Sequence, residues 1–466
     1  MEATFVIVGG GIAGVSCAET LAYYEPNESI ILISESSLIK TVTNLLAITQ
    51  SITSFNIEET TTNSLTNKYQ NVNVLNGSLL EINDVENFII ISKNIKINYK
   101  YLCLCYGAKP KLIPQAKNNP FVVGIRDTDS VDVFAEKLAK SKKVVIVGNG
   151  GIASELVYKI QNTEIEWVIK DNHITATFVD PGASEFFQPS LKKDQKQPDL
   201  LEPIPNKRMR YEEDATYKSG AALGPDWYKH FQIKGACELP SSVKIHYKSE
   251  VFDILNDDSS EYPIKVILTT GDEIYCNLVV SATGVEPKIE FKTNTNFKLS
   301  PSNEIIVNET MKSSIPNIYA AGDCCSAGWE HSKHWFPMKL WTQARQMGNY
   351  AAKCMSGDFN KEEVILQDFC FELFTHTTRL FGYKVILLGL YNGQKLDNNY
   401  EILFRMTKEH EYAKFILQDG RLQGAVLIGD TDLEETVENL ILSQLDLSPY
   451  KEDLLNPDVD IEDYFD

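Results

Sequence analysis

Apolar positions along the chain fall into a repeated order. Phe5-Val-Ile-Val8 is a continuous apolar run that ends in Gly9-Gly-Gly-Ile-Ala-Gly14. Helical spacing follows from Val15 to Tyr24, then a second apolar run, Ser29-Ile-Ile-Leu-Ile-Ser34. Runs this short and this uniformly apolar read as strands buried on both faces, and strand, tight turn, helix and parallel strand make a βαβ unit. The order returns at Lys143-Val-Val-Ile-Val-Gly-Asn-Gly150, with a helix predicted through Ile160 and a strand at Ile165-Glu-Trp-Val-Ile169. Each copy has a downstream echo, Leu102-Cys-Leu-Cys-Tyr-Gly-Ala-Lys-Pro110 and Leu278-Val-Val-Ser-Ala-Thr-Gly-Val-Glu-Pro287: a strand, a glycine, two residues and a proline. Gly9 to Gly107 spans 98 positions and Gly148 to Gly284 spans 136, so the second copy is longer by 38. The surplus is placed in Asp180 to Pro240, which is polar, carries prolines and lacks periodicity; it reads as an inserted surface excursion.

Beyond the second copy, Asn317-Ile-Tyr-Ala-Ala-Gly-Asp-Cys324 is another strand running into a glycine turn, and a helix is predicted from Lys339 to Met355. From about 361 the pattern is β-rich, with runs at Phe369 to Phe374, Lys384 to Tyr391, Lys414 to Leu417 and Ala425 to Ile428. A closing helix follows at Leu433 to Leu445, then an acidic tail, Asp453 to Asp466. The expected class is α/β, with two Rossmann-like domains and a C-terminal α+β domain. The boundaries are set at 1–125, 126–285 with the insertion at about 180–240, 286–355, and 356–466.

At 466 residues the chain exceeds one ordinary core. No apolar run reaches the roughly 18–20 residues of a membrane span. Glu2 and the glycine triplet argue against an export signal, so the cytoplasm and nucleus are the expected location. A net charge of -20 opposes direct binding to nucleic acid. Nine cysteines without a C-x-x-C read as reduced, buried thiols. Cys103 and Cys105, alternating along a strand, are not expected to face a common partner. His331 and His334 have helical spacing but no third ligand beside them, so no metal site is assigned.

The chemistry lies in the glycines. In Gly9-x-Gly11-x-x-Gly14 the first glycine permits the turn, the second lets a pyrophosphate approach the backbone, and the third lets helix and strand pack closely. The helix start at Ile12 and Ala13 offers free N–H groups to the phosphates. Glu35 ends the second strand, where a carboxylate holds a ribose diol. The second fingerprint is Gly148-x-Gly150-x-x-Ala153, with Gly151 and Ile152 opening its helix and Glu155 one turn in. Lys170, with Asp171 beside it, stands where the first copy has its acid. A cation there suits a 2′-phosphate, and it is equally well a solvated strand-end lysine, so NADH and NADPH both stay open.

Two fingerprints, two strand-Gly-x-x-Pro echoes and Ile318-Tyr-Ala-Ala-Gly-Asp323 together resemble the class I pyridine nucleotide-disulfide oxidoreductase family over roughly residues 1–355. The resemblance implies a glutathione-reductase-like fold whose first copy binds FAD and whose second binds NAD(P)H, with Gly107 and Gly284 closing the two copies. It implies that Gly322-Asp323 meets the ribityl chain, that Trp341, Thr342 and Gln343 approach the flavin pyrimidine, that a strand residue near Leu79 touches adenine through its backbone, and that Arg126 meets the flavin or pyrophosphate. Trp167 to Phe187, Leu422 to Ser448 and Asp460 to Asp466 are similar to a member of the family associated with the tRNA ligase complex. That likeness implies this complex as a protein partner shielded from oxidative inactivation.

One departure is decisive for mechanism. The family places its redox cysteines about 28–31 residues after the third glycine, and here that window is Val42-Thr43-Asn44-Leu45, with no cysteine between Cys17 and Cys103. Electrons therefore have no thiol relay. Lys40 and Asn44 lie near the vacated position as candidate flavin contacts, or as surface residues. Two functions stay open. One is an NAD(P)H-oxidising flavoenzyme acting on oxygen or a quinone. The other is a scaffold, locked by flavin and nucleotide, that binds partners through the insertion and the tail. The cluster Asn206-Lys-Arg-Met-Arg210 is either a nuclear import signal or a solvated loop. Oligomeric state stays open.

Overall fold

The computed structural model describes residues 1–116, 118–192, 231–257, 261–287, 289–397, 399–450 and 453–456. Residues 206–210 and most of the insertion and of the acidic tail lie outside them. The described residues divide into two units, one from 1–109 and 286–456, the other from 110–192 and 231–285.

The first unit is built on β1 (Glu2–Val8), helix α1 (Ile12–Tyr24) and β2 (Ile30–Ser34). A hairpin follows, β3 (Leu38–Ala47) with β4 (Thr53–Thr61), then α2 (Thr62–Lys68), β5 (Val72–Asn76) and the antiparallel run β6 (Leu79–Asn83), β7 (Phe88–Ile91) and β8 (Ile95–Leu104). β1 pairs in parallel with β2 and β8, and β2 with β5. The first half of β8 is antiparallel to β7; its second half runs parallel to Ile318–Ala320. Every residue of β2 is buried, as its uninterrupted apolar pattern requires.

The second unit repeats the scheme. Strand β9 (Val122–Gly124), helix α3 (Thr128–Leu138), β10 (Lys143–Val147), α4 (Gly151–Lys159), β11 (Glu164–Val168), α5 (Pro181–Lys192) and β12 (Ser242–His246) are followed by a three-stranded antiparallel sheet. The sheet comprises β13 (Val251–Asn256), β14 (Ile264–Leu268) and β15 (Glu273–Cys276), and β16 (Leu278–Ser281) returns to the parallel sheet, whose order is β9-β16-β10-β11-β12. Because β9 pairs with β16 through Val122↔Val279, residues 110–125 belong to this unit, whereas the composition set the boundary at 125. The start of the expected surface excursion is instead a helix: in α5, Ala183, Phe186 and Phe187 are buried. Its apolar residues are few and Pro189 interrupts it, which hid the period.

The rest of the first unit contains β17 (Ile318–Ala320), α6 (Trp341–Asn360) and the antiparallel sheet β18 (Thr375–Leu380), β19 (Tyr383–Gly389), β20 (Glu401–Thr407), β21 (Glu411–Gln418) and β22 (Arg421–Ile428), closed by α7 (Glu434–Ser443). The run Phe369 to Phe374 is not a strand. Phe369–Phe371 is a 3-10 turn capped by Asp368, and β18 starts after it. β20 was missed in the sequence because it is an edge strand with Ile402, Phe404 and Met406 exposed on one side.

Cys103 and Cys105 correct the sequence reading. Residues two apart on a strand share a face, and their sulfurs lie 3.6 Å apart in the core.

A long-range bond fixes the β3–β4 hairpin. The buried Glu438 carboxylate of α7 accepts from Ser51 N–H at 3.1 Å, from Ser51 Oγ at 3.2 Å and from Thr49 Oγ1 at the hairpin's tip, while Ile52 enters the core beneath α7. Removing the acceptor strands these donors at about 1–3 kcal/mol each where burial holds. Glu438→Ala should lower stability by about 2–4 kcal/mol and accelerate amide exchange at Ser51, with Glu438→Gln much milder. Unchanged exchange at Ser51 in the alanine variant would refute this anchoring.

Candidate functional site

The first glycine turn is a close approach of backbone to backbone. Gly9 lies at φ +127°, and a Cβ there would collide with the Cys105 carbonyl oxygen. A Cβ on Gly14 would collide with the Gly9 carbonyl oxygen, and one on Gly10 with Ser34 Oγ. Gly11 is the N-cap of α1 and offers no side chain, so the first N–H groups, Ile12 and Ala13 among them, receive no side-chain cap. Glu35 is exposed directly after β2. Asn76, opposite Ser34 in the sheet, has a buried Oδ1 with no hydrogen-bond partner. A cradle closed to Cβ atoms, an uncapped helix start, an orphaned buried acceptor and an exposed acid together suit the pyrophosphate and adenosine of FAD.

Other segments converge on α1. Gly322 lies at φ +78°, with its Cβ position 2.9 Å from Ala13 Cβ, which carries the half-exposed Asp323 to the start of α1. Gly348 of α6 lets that helix pass the Ala13 carbonyl. Trp341 and Thr342 open α6. The Trp341 ring lies 5.4 Å from that of the buried His376, whose Nδ1 pairs with Thr342 Oγ1 at 3.1 Å. Gly107, at φ +68°, lies just past the end of β8.

Lys40, Asn44, Leu79 and Arg126 are the other residues expected at the flavin site. Lys40 is buried, its backbone N–H donating to the Gly10 carbonyl at 3.0 Å, but its ammonium is paired with Glu59 at 2.8 Å. Asn44 is exposed at φ +50°, in the bulge between Thr43 and Leu46. Leu79 packs into the core, while Gly77 N–H bonds the Ser34 carbonyl at 2.8 Å; the chain beside the end of β2 is thus 76–78. Arg126 belongs to the second unit, where its N–H donates to Ser130 Oγ beside the Asp127 capping box of α3. Asn76 and His376 lie in no motif and carry no signal along the chain.

The second turn repeats the first. Gly148 lies at φ +129°, with its Cβ position against the Ala282 carbonyl oxygen, and Gly150 is the uncapped N-cap of α4. Ala153 is fully buried where Gly14 stands in the first copy; Gly151, Ile152 and Glu155 are half-exposed along α4. Lys170 is exposed past β11, and Gly284 lies at φ +101° with open space around its Cβ position.

The window Val42 to Leu45, where the redox cysteines are expected, lies within strand β3. Val42 and Leu45 on β3 line a cavity of about 710 Å³, together with Ser16 and Thr20 of α1 and Arg345 of α6. The cavity's other basic side chain, Lys353, is paired with Asp368 at 2.6 Å, whereas Arg345 packs over the Phe55 ring at 5.7 Å and burial lowers its pKa. One thiol of this unit, Cys370, lines the same cavity, where burial and the neighbouring Asp368 push it up. Cys324 Sγ donates to the Leu104 carbonyl and Cys325 Sγ to the Gly322 carbonyl, as packed, hydrogen-bonded thiols. The bond to Cys103 and burial push the Cys105 thiol well up.

Two outcomes follow. Asp323→Ala should weaken FAD retention about tenfold or more, the scale of one charge-assisted hydrogen bond; equal retention in dialysis or thermal release would remove Asp323 from the site. Burial lowers the His376 pKa to about 3. The unfolded chain takes up that proton near pH 6.5, so stability falls as pH drops from there towards 3, by at most about 1.4 kcal/mol per unit. His376→Gln should flatten that limb in denaturant melts taken across the window; an identical acid slope would count against it.

The chain matches the model of the pyridine nucleotide-disulphide oxidoreductase family over residues 3–195 and 239–348, and that of the rubredoxin NAD+ reductase C-terminal domain over 377–445. It is 48% identical over 472 residues to a Drosophila melanogaster protein named pyridine nucleotide-disulfide oxidoreductase domain-containing protein 1, covering 99% of each chain. In fold it is similar to a putidaredoxin reductase solved in covalent complex with putidaredoxin, with a TM-score of 0.67, 18% identity, and 96% and 94% of the two chains covered. It is also similar in fold to a water-forming NADH oxidase from Lactobacillus brevis bound to NADH, with a TM-score of 0.65, 13% identity, and 95% and 91% covered. The chain belongs to the pyridine nucleotide-disulphide oxidoreductase family, and its cofactors are FAD and NAD(P)H.

Proposed function

We propose that this chain oxidises NAD(P)H through FAD and hands the electron pair directly to a small acceptor, oxygen or a quinone, with no thiol relay. FAD supplies the ring that takes the hydride and later gives up both electrons. The observation that carries the reading is the vacated window: Val42-Thr43-Asn44-Leu45 is a β-strand without a thiol, and it borders a cavity large enough for a small acceptor. With a quinone, NAD(P)H and one proton yield NAD(P)+ and hydroquinone, which balances without a dithiol. Gly9, Gly14, Gly322 and Asp323 hold and orient the cofactor; no side-chain acid is needed for hydride transfer.

A second reading, partner binding with little turnover, is favoured by the exposed Ile402, Phe404 and Met406 on the edge strand β20. The tRNA ligase complex is the proposed protein partner, kept from oxidative inactivation, and the cytoplasm and nucleus are the proposed location. The likeness of Trp167 to Phe187, Leu422 to Ser448 and Asp460 to Asp466 supports both.

Anaerobic addition of NADH or NADPH to the purified yellow protein should bleach the flavin, and reoxidation by oxygen or a quinone should keep pace with reduction in stopped flow. A reduced complex that outlives exposure to both acceptors would move the assignment to partner binding. A colourless protein that cannot be reconstituted with FAD would overturn both readings.

A further inference from the structure

The two nucleotide turns can be aligned by their backbone bonds. Gly9 N–H donates to the Ile33 carbonyl at 2.8 Å, and Gly148 N–H to the Val168 carbonyl at 3.1 Å. Ile33 thus corresponds to Val168, Glu35 to Lys170, and Gly10 to Asn149. At both unlike positions the second copy differs in a way that bears on the adenosine ribose.

In the first copy no side chain fits at Gly10, because Ser34 Oγ fills the space. In the second copy Asn149 carries one, 8% exposed and almost fully bonded. Its Nδ2 donates to Asp171 Oδ2 at 2.9 Å and to the His173 carbonyl at 2.9 Å, and its Oδ1 accepts from Thr175 N–H at 2.5 Å. Thr177 Oγ1 donates to the Asn149 carbonyl at 3.2 Å. Three of the four side-chain bonding sites are used, so the segment 171–177 is tied to the glycine turn. Meanwhile Ser249 N–H holds the Ile169 carbonyl at 2.9 Å and Lys248 N–H holds the Asp171 carbonyl at 3.0 Å. The exposed Lys170 and Lys248 therefore flank the strand end, while the neighbouring carboxylate is drawn back to the turn.

An acid at the Glu35 position accepts both ribose hydroxyls and repels a 2′-phosphate; a cation there does the opposite. We infer that the second site selects the 2′-phosphorylated nucleotide, with Lys170 as the residue that meets the phosphate and Asn149 as a positioning residue that keeps the Asp171 carboxylate out of its way. This rests on the assignment of the second unit to NAD(P)H and narrows it to NADPH.

Equilibrium binding of adenosine 2′,5′-bisphosphate and of AMP to the full-length, FAD-loaded protein, read by calorimetry, tests this without turnover. The wild type should bind the bisphosphate at least about tenfold more tightly than AMP, the scale of one added charge contact. Lys170→Gln should bring the ratio towards one, and Lys170→Glu should invert it. Asn149→Gly, which restores the residue of the first copy, should lower the ratio several-fold by freeing Asp171, and adding Asp171→Asn should restore it. A merely structural Asn149 would weaken both ligands equally, with no rescue; that pattern overturns its role. Equal binding of the two ligands by the wild type, or a ratio untouched by Lys170→Gln, overturns the selectivity itself. If neither ligand binds and neither NADH nor NADPH bleaches the flavin, the assignment of the unit to NAD(P)H fails instead.

Discussion

The structure depends on one constraint: two backbones that must touch leave no room for a Cβ. Gly9 against the Cys105 carbonyl and Gly148 against the Ala282 carbonyl are the same contact made twice, at nearly the same φ. Each contact sets a helix start beside the ends of two parallel strands. Each leaves that start without a side-chain cap, so its N–H groups are free for an anion. In the first unit the constraint propagates. Ala13, one residue before Gly14, is approached by Gly322 from one strand turn and by Gly348 from α6. The segment bearing Asp323 and the helix bearing Trp341 thereby approach α1 closely, and bonds from Asn360 to Glu25 and between Thr20 and Asn349 add to the hold on α6.

This explains what could be read from sequence. Glycines forced by close approach recur at fixed spacing beside apolar strands, so both fingerprints, both echoes and the Gly322 turn were visible in the chain. Polar pairs made across the fold, whether 34 or 389 positions apart, leave no such spacing. Glu438 with Thr49 and Ser51, and His376 with Thr342, are single polar residues inside ordinary amphipathic patterns. Asn149 looked like the tolerated variable position of its motif; only the folded segment 171–177 shows that its amide is bonded three ways. Lys40 and Arg126 were placed by position along a motif. The Lys40 ammonium pairs with Glu59 and Arg126 lies in the second unit, and spacing along the chain carries neither fact.

The duplication has diverged most where the two copies handle charge. The first presents Glu35 past its second strand, next to a turn that admits no side chain at Gly10. The second presents Lys170 there and uses the space at Asn149 to bond the next carboxylate. The backbone contacts at Gly9 and Gly148 are the same in both copies, whereas Gly10 and Asn149 differ because Ser34 Oγ fills the space beside Gly10.

Loss of the redox cysteines did not leave a gap in the fold. The segment that would carry them is a ten-residue strand in a hairpin, laddered to β4 and clamped at its tip by Glu438. Burial disfavours a thiolate at Cys354 and at Cys370, the thiol that lines the cavity. A relay needs a thiolate, and burial pushes Cys354 up to about 12, while the bond to Cys324 and burial raise Cys325 well above the ordinary thiol value. Cys103 and Cys105 are close enough to interact, yet both are shut inside the core, where a charged sulfur would be costly and an external disulfide has no path to reach it. The chain thus keeps both glycine turns, while β3 carries no cysteine in the Val42 to Leu45 window.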